Sequence, residues 1–154
     1  MDIASLDSAL GEVERAFLDT SICIAYHSAT EAVHPLARHV IRRIERDDDP
    51  LVGFLSVVTA AEMLVRPIRS ASDDLRLMHQ FLRQIPHLHI LDVDFEIAHQ
   101  AANIRALTRL TLPDALLIET AIMSGCEAII TNDERWARRL RPLFGQFIWI
   151  YLGD

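Results

Sequence analysis

Four carboxylates stand where a carboxylate can do more than solvate a surface. Asp19 closes the apolar run AFLDT (16–20), and Asp133 closes EAIITND (127–133). Asp114 lies just inside a helical stretch opening at Pro113, and Glu62 sits within VVTAAEMLVR (57–66). In a parallel sheet every strand delivers its C-terminal end to the same edge, where open α/β folds place their sites. Three or four carboxylates gathered there repel one another unless a divalent cation neutralises them. An all-oxygen set without His or Cys suits Mg²⁺ or Mn²⁺ rather than zinc. Such an ion orients a phosphate, acidifies a water and stabilises a leaving oxygen, so phosphodiester hydrolysis is the natural chemistry.

Each position also has an ordinary reading. Asp19 could cap the helix opening at Thr20 or Ser21, although both hydroxyls could do that themselves; Asp133 or Asn132 could cap the last helix. Asp114 in the first turn gains about 0.3–1 kcal/mol from the helix dipole. It also heads the stripe Leu117, Ile118, Ala121 and Ile122, and a carboxylate at the top of a buried stripe needs a cation or several donors. Glu62 has the weakest pattern. With Val57, Ala61, Leu64 and Ile68 as the apolar stripe, it points nearly opposite, toward a routine i,i+4 pair with Arg66.

The elements that must position these groups follow from the apolar pattern. Short apolar runs at 16–20, 51–56, 88–93, 127–131 and 146–152 predict strands, and the amphipathic stretches between them predict helices. Among these helices, Pro67 is expected to end that of VVTAAEMLVR, SASDDLRLMHQFLRQI opens on a Ser/Asp capping signal, and Gly125 stops the helix from Pro113. Fully apolar strands alternating with helices indicate an α/β fold with a mostly parallel sheet covered on both faces.

Composition narrows the function. At 154 residues and 51% apolar content, the chain is the size of one domain with a single core. No apolar run reaches the roughly 20 residues of a membrane span, and the first residues lack a signal-peptide pattern, so a cytoplasmic protein is expected. Cys23 and Cys126 are expected as buried small apolar groups rather than a disulfide. The seven His are scattered, and only His87 and His89 are close, without a third ligand at metal spacing. Every basic residue is Arg, which excludes Schiff-base and phosphate-loop lysine chemistry, and a net charge of −7 disfavours a broad nucleic-acid surface.

FLDT (17–20), AAEML (60–64), LPDALLIETA (112–121) and AIITND (128–133) resemble, in order and spacing, the PIN-domain nucleases, especially the VapC-type toxins of bacterial toxin–antitoxin pairs. The likeness runs over roughly 16–151. It implies a three-layer PIN-like fold, with a five-stranded mostly parallel sheet flanked by helices over 16–154, preceded by an N-terminal extension at 1–15. It also implies an endoribonuclease dependent on Mg²⁺ or Mn²⁺. Carried over position by position, Asp19, Glu62, Asp114 and Asp133 form the acidic quartet that holds the metal, with Thr131 and Thr20 as supporting polar residues. Water attacks the phosphodiester, and no side chain is a covalent nucleophile. The partners implied are RNA, an antitoxin whose tail blocks the site, and a second copy of the chain; no membrane is involved. Trp136 departs from the pattern by standing where Phe is commoner, a difference not expected to touch the quartet.

Two bound divalent ions would bring −7 to −3 and leave a locally positive centre. Arginines would then guide RNA or a partner: Arg135, Arg138, Arg139 and Arg141 after Asp133, or Arg38, Arg42, Arg43 and Arg46. Each cluster has a plain alternative as a solvated helix face. Two further readings stay open: a PIN-like module that binds RNA or protein without cutting, and a nuclease of RNA processing rather than a toxin.

Overall fold

In the computed structural model, which describes residues 1–70 and 73–153, five strands form one sheet. They are β1 (Arg15–Leu18), β2 (Val52–Ser56), β3 (Leu88–Leu91), β4 (Ala128–Thr131) and β5 (Ile148–Tyr151), in the order β3-β2-β1-β4-β5. All four neighbouring pairs are parallel, with Phe17 opposite Phe54 on one side and Ile129 on the other. The helices are α1 (Ile3–Leu10), α2 (Thr20–His27), α3 (His34–Ile44), α4 (Val57–Ser70), α5 (Asp74–Gln84), α6 (Phe95–Thr108), α7 (Leu112–Met123) and α8 (Glu134–Leu140).

The central strands β2, β1 and β4 are mostly apolar because both faces are covered, whereas the edge strand β3 carries an exposed His89. Ala16, Leu18, Leu55, Ala128 and Ile130 join a cluster with Ile22, Val40, Ile41 and Phe81 from α2, α3 and α5. The alternate residues Phe17, Phe54 and Ile129 join a second cluster with Ala101, Ile118, Ala121 and Trp136 from α6, α7 and α8. Successive strand side chains point to opposite faces, so a fully apolar strand serves two cores at once. Gly53 in β2 gives α3 its close approach: a Cβ there would lie 2.7 Å from Ile44 Cδ1. Leu6 and Leu10 of α1 are fully buried in the first cluster, where Val13 joins them.

Several local expectations change. Pro67 lies inside α4, which continues to Ser70, and the buried residues of α4 are Thr59, Ala60, Met63 and Pro67. The expected stripe is therefore rotated: Val57 and Ile68 are exposed and Ala61 faces solvent, while Glu62 borders the buried face instead of opposing it. A proline ring clashes only with the turn before it, and a helix already packed along that turn can carry it through. The capping signal before α5 includes Ala71 and Ser72, which lie outside the described residues; Asp73 occupies the N-cap position without a side-chain cap bond. Helix α7 begins at Leu112, one residue earlier than expected, with Thr111 as its cap accepting from the Asp114 amide. Gly125 follows its end at φ +64°, as a left-handed stop requires.

Within α7, Leu117, Ile118 and Ala121 are buried as expected, but Ile122 is 37% exposed. Glu119, which the sequence pattern did not single out, is 5% exposed. Burial and then the nearby charge of Glu96 push its carboxyl up from the usual range. With a folded-state pKa above the unfolded one, the stability contributed by protonated Glu119 is complete below the unfolded value and lost as pH rises through the folded one. Glu119→Gln is therefore expected to raise the melting temperature near pH 7 and to change little at about pH 4. Melting curves across that range check it, and equal shifts at both ends would refute the titration.

The thiols of Cys23 and Cys126 are free and buried. No helix among the described residues is long and apolar enough to cross a membrane.

Candidate active site

The strand order reverses between β1 and β4: successive strands extend one way from β1 and then the other way from β4. The helices leaving β1 and β4 diverge at such a point, opening a crevice at the strands' carboxyl ends. Asp19 directly follows β1, and Asp133 lies two residues beyond β4.

Asp19 occupies the N-cap position of α2 but makes no side-chain capping bond to it, so capping does not explain it. Its Oδ2 accepts hydrogen bonds from Ser21 Oγ at 2.5 Å and Thr131 Oγ1 at 2.8 Å. The residue is 5% exposed, and burial raises its carboxyl above the usual range against those two donors, with the charge of Asp133 adding to the rise. Among the described residues no cation pairs with it.

Thr131 is the hinge between the two strand-end carboxylates. Its hydroxyl donates to Asp19 and accepts from the Asp133 amide at 3.0 Å. Ser21 ties the same loops together, because its Oγ also accepts from the Asn132 amide at 2.9 Å. Sequence reasoning had seen Ser21 only as a helix cap. A hydroxyl two residues after a strand-end aspartate is the signal that could have found it.

Asp133 does cap α8, accepting from the Arg135 amide at 2.8 Å, so the ordinary reading holds for it as well. The Arg135 guanidinium takes both of its oxygens, at 3.2 and 2.8 Å. These hydrogen bonds hold the Asp133 carboxyl below the usual range. Arg138 pairs with Glu134 one turn away, and Arg139 Nη2 stands 3.4 Å from the carbonyl oxygens of Thr108 and Arg109. In the other arginine group, Arg43 binds Asp49 and Asp7, and Arg46 binds Asp48.

Glu62 reaches the same region from α4. Its Oε2 accepts from Thr20 Oγ1 at 2.6 Å, and no Arg66 pair occurs among the described ion pairs. Thr59 Oγ1 lies 3.1 Å from the same hydroxyl. Thr20 has one hydroxyl proton; with Glu62 taking it, Thr59 must donate. The expected surface pair is thus replaced by a contact with the residue next to Asp19, because the buried face of α4 is rotated toward Glu62.

Asp114 is half-buried at the start of α7. Its Oδ2 accepts from Thr111 Oγ1 at 2.6 Å and its Oδ1 from the indole Nε1 of Trp136 at 2.9 Å. Trp136 does touch the quartet, contrary to expectation. Pattern reasoning values an aromatic side chain for its apolar body and passes over its polar N–H.

Hydrogen bonds therefore join Glu62 to Thr20, Asp19 through Thr131 to the Asp133 backbone, and Asp114 to Trp136 of the helix that Asp133 caps. Among the described residues no three Asp, Glu, His or Cys side chains stand together closely enough to hold an ion. Arg135 occupies Asp133, and Thr20 engages Glu62. His87 and His89 are not brought together: His87 bonds Asp47, and His89 lies against the Phe54 ring. The available donors are carboxylate and hydroxyl oxygens, a set that fits a hard divalent cation, and Asp19 is a buried acid lacking a positive partner.

The fold is shared with solved toxin–antitoxin proteins. A toxin–antitoxin complex from Klebsiella pneumoniae superposes with a TM-score of 0.64 at 19% identity, covering 90% of this chain and 98% of that one. The sarcin–ricin loop-cleaving toxin VapC20 of Mycobacterium tuberculosis gives 0.64 at 17%, covering 80% and 93%. VapBC-1 of nontypeable Haemophilus influenzae gives 0.65 at 14%, covering 91% and 99%. At such identities the likeness establishes the fold. No curated protein sequence matches the chain. The PIN-domain profile matches residues 16–141, spanning all four carboxylates and the switch point between β1 and β4, and the chain belongs to the PIN-domain family.

Proposed function

We propose that this protein is a Mg²⁺- or Mn²⁺-dependent endoribonuclease and the toxin of a toxin–antitoxin pair, with Asp19, Glu62, Asp114 and Asp133 as metal-holding residues. The observation that carries the proposal is Asp19: a buried carboxylate without a cation partner, beside a second carboxylate at the switch point. Its family supports the nuclease reading. The toxin–antitoxin proteins among its structural neighbours support the toxin role and an antitoxin partner, and a second copy of the chain is part of the same reading.

When bound, the ion supplies charge neutralisation at the scissile phosphate and a more acidic water. The chain's own residues do the positioning. Thr131 and Ser21 fix the rotamer of Asp19 through its Oδ2, and neither hydroxyl engages its Oδ1. Thr20 orients Glu62 toward the same end of the sheet. For Asp133 to hold an ion, Arg135, whose side chain is 89% exposed, would have to release it. A solvent-exposed ion pair of this kind contributes little to stability, so releasing it costs little. Arg135, Arg138 and Arg139, on one short helix beside the site, then offer charge to the RNA backbone. Water gives up a proton to solvent as it attacks phosphorus, the P–O bond to the departing ribose oxygen breaks, that oxygen takes a proton and leaves as a hydroxyl, and no enzyme ester forms.

The purified protein is expected to cut RNA in Mg²⁺ or Mn²⁺, to stop in EDTA and to resume when metal is restored. Full activity in EDTA would end this reading.

A further inference from the structure

We infer that Trp136 is a positioning residue: its indole N–H fixes the Asp114 carboxylate in the orientation that binds the divalent ion. This rests on the metal-nuclease reading of the site.

Asp114 receives one donor on each oxygen, Thr111 Oγ1 at 2.6 Å and Trp136 Nε1 at 2.9 Å. With both oxygens tied, rotation about the terminal bond is restrained. Each oxygen keeps a further lone pair for a ligand. The two donors come from different places. Thr111 belongs to the same helix start, whereas Trp136 comes from α8 and crosses 22 residues of sequence. Only the tryptophan therefore holds Asp114 relative to another element.

Trp136 is itself rigid. It is 6% exposed, packed edge-on to Trp149 at 6.5 Å and embedded in the second core cluster. Asp133 caps its helix three positions before Trp136, so one helical turn carries the cap and the donor. Whatever sets α8 on the sheet sets Asp133 and Asp114 together. A phenylalanine is smaller but would fill most of the same apolar space and donate nothing, so the hydrogen bond is lost with a modest change in packing. The other tryptophan is an internal control: Trp149 donates to the Phe144 carbonyl and touches no carboxylate of the quartet.

The test compares wild type with Trp136→Phe in Mn²⁺ titrations by calorimetry, with melting curves of both proteins without metal. Trp136→Phe is expected to melt within a few degrees of wild type and to bind Mn²⁺ about 10- to 100-fold more weakly, the usual effect of removing a ligand's hydrogen-bond partner. Unchanged Mn²⁺ affinity in the variant overturns the inference but leaves the metal-nuclease reading intact. Wild type that binds no Mn²⁺ overturns both.

A second measurement does not need the variant to fold. With 5-fluorotryptophan incorporated, the two indoles give two ¹⁹F resonances, assigned by Trp149→Phe. Added Mg²⁺ is expected to shift the Trp136 line and to move that of Trp149, which packs against it, by less. A Trp136 line unmoved at saturating Mg²⁺ also overturns the proposal.

Discussion

Asp19→Asn is expected to abolish RNA cleavage while raising the melting temperature of the metal-free protein. The loss of activity should exceed the roughly 10- to 100-fold attached to an outer hydrogen-bond partner, because Asp19 is proposed to meet the ion itself. The gain in stability has a separate cause. Asp19 is 5% exposed, and burial with the charge of Asp133 disfavours its ionised form. Asparagine keeps an oxygen that can accept from both Ser21 and Thr131, so the hydroxyl contacts survive while the buried charge is removed. Tight coupling of activity and stability losses would identify Asp19 as structural support. A variant that cuts normally, or that melts lower without metal, refutes the account.

Asp114→Asn should also lose cleavage but change the metal-free melting temperature little. Asp114 accepts from Thr111 and Trp136 on separate oxygens; asparagine can keep its oxygen on the Trp136 N–H and donate its NH₂ to the exposed Thr111 hydroxyl. Burial separates the two variants, because Asp19 is buried and Asp114 only half-buried, so the gain in stability is expected from Asp19→Asn.

The second large effect is expected far from the chemistry. Leu10→Ala should destabilise the protein by about 2–5 kcal/mol, and Leu6→Ala by a similar amount. Both side chains are fully buried, in the cluster that also holds Leu18, Ile41 and Ile130. At about 2–4 °C per kcal/mol for a chain of this size, each variant should melt roughly 4–20 °C lower. Chemical or thermal unfolding checks this, and a shift below about 2 °C would mean α1 is peeled off in solution. The polar, weakly amphipathic 1–15 stretch offers few apolar positions, yet α1 places two of them inside the domain core.

The strands were legible because their apolar runs are short, sharply bounded and two-faced, and only a covered parallel sheet buries both sides of such runs. β1, β2 and β4 therefore stand close to where the residue pattern puts them. Helix phase was less legible. In α4 an apolar residue occupies nearly every face, so hydropathy alone allowed two stripes, and packing on α2 and β2 selected Thr59, Ala60, Met63 and Pro67. That choice brought Glu62, which remains exposed, within hydrogen-bond reach of Thr20.

The sequence by itself determined the α/β class, the strand-end positions of Asp19 and Asp133, the placement of Asp114 in a helix's first turn and the family likeness. All are local in the chain or set by spacing between runs. Tertiary structure alone decided that Thr131 joins Asp19 to Asp133, that Arg135 occupies Asp133, that Glu62 meets Thr20 and that Trp136 holds Asp114. These contacts depend on which strands neighbour one another and how each helix is rotated on the sheet. The reversal of strand order between β1 and β4 brings together residues more than 100 positions apart, and no local pattern carries that information.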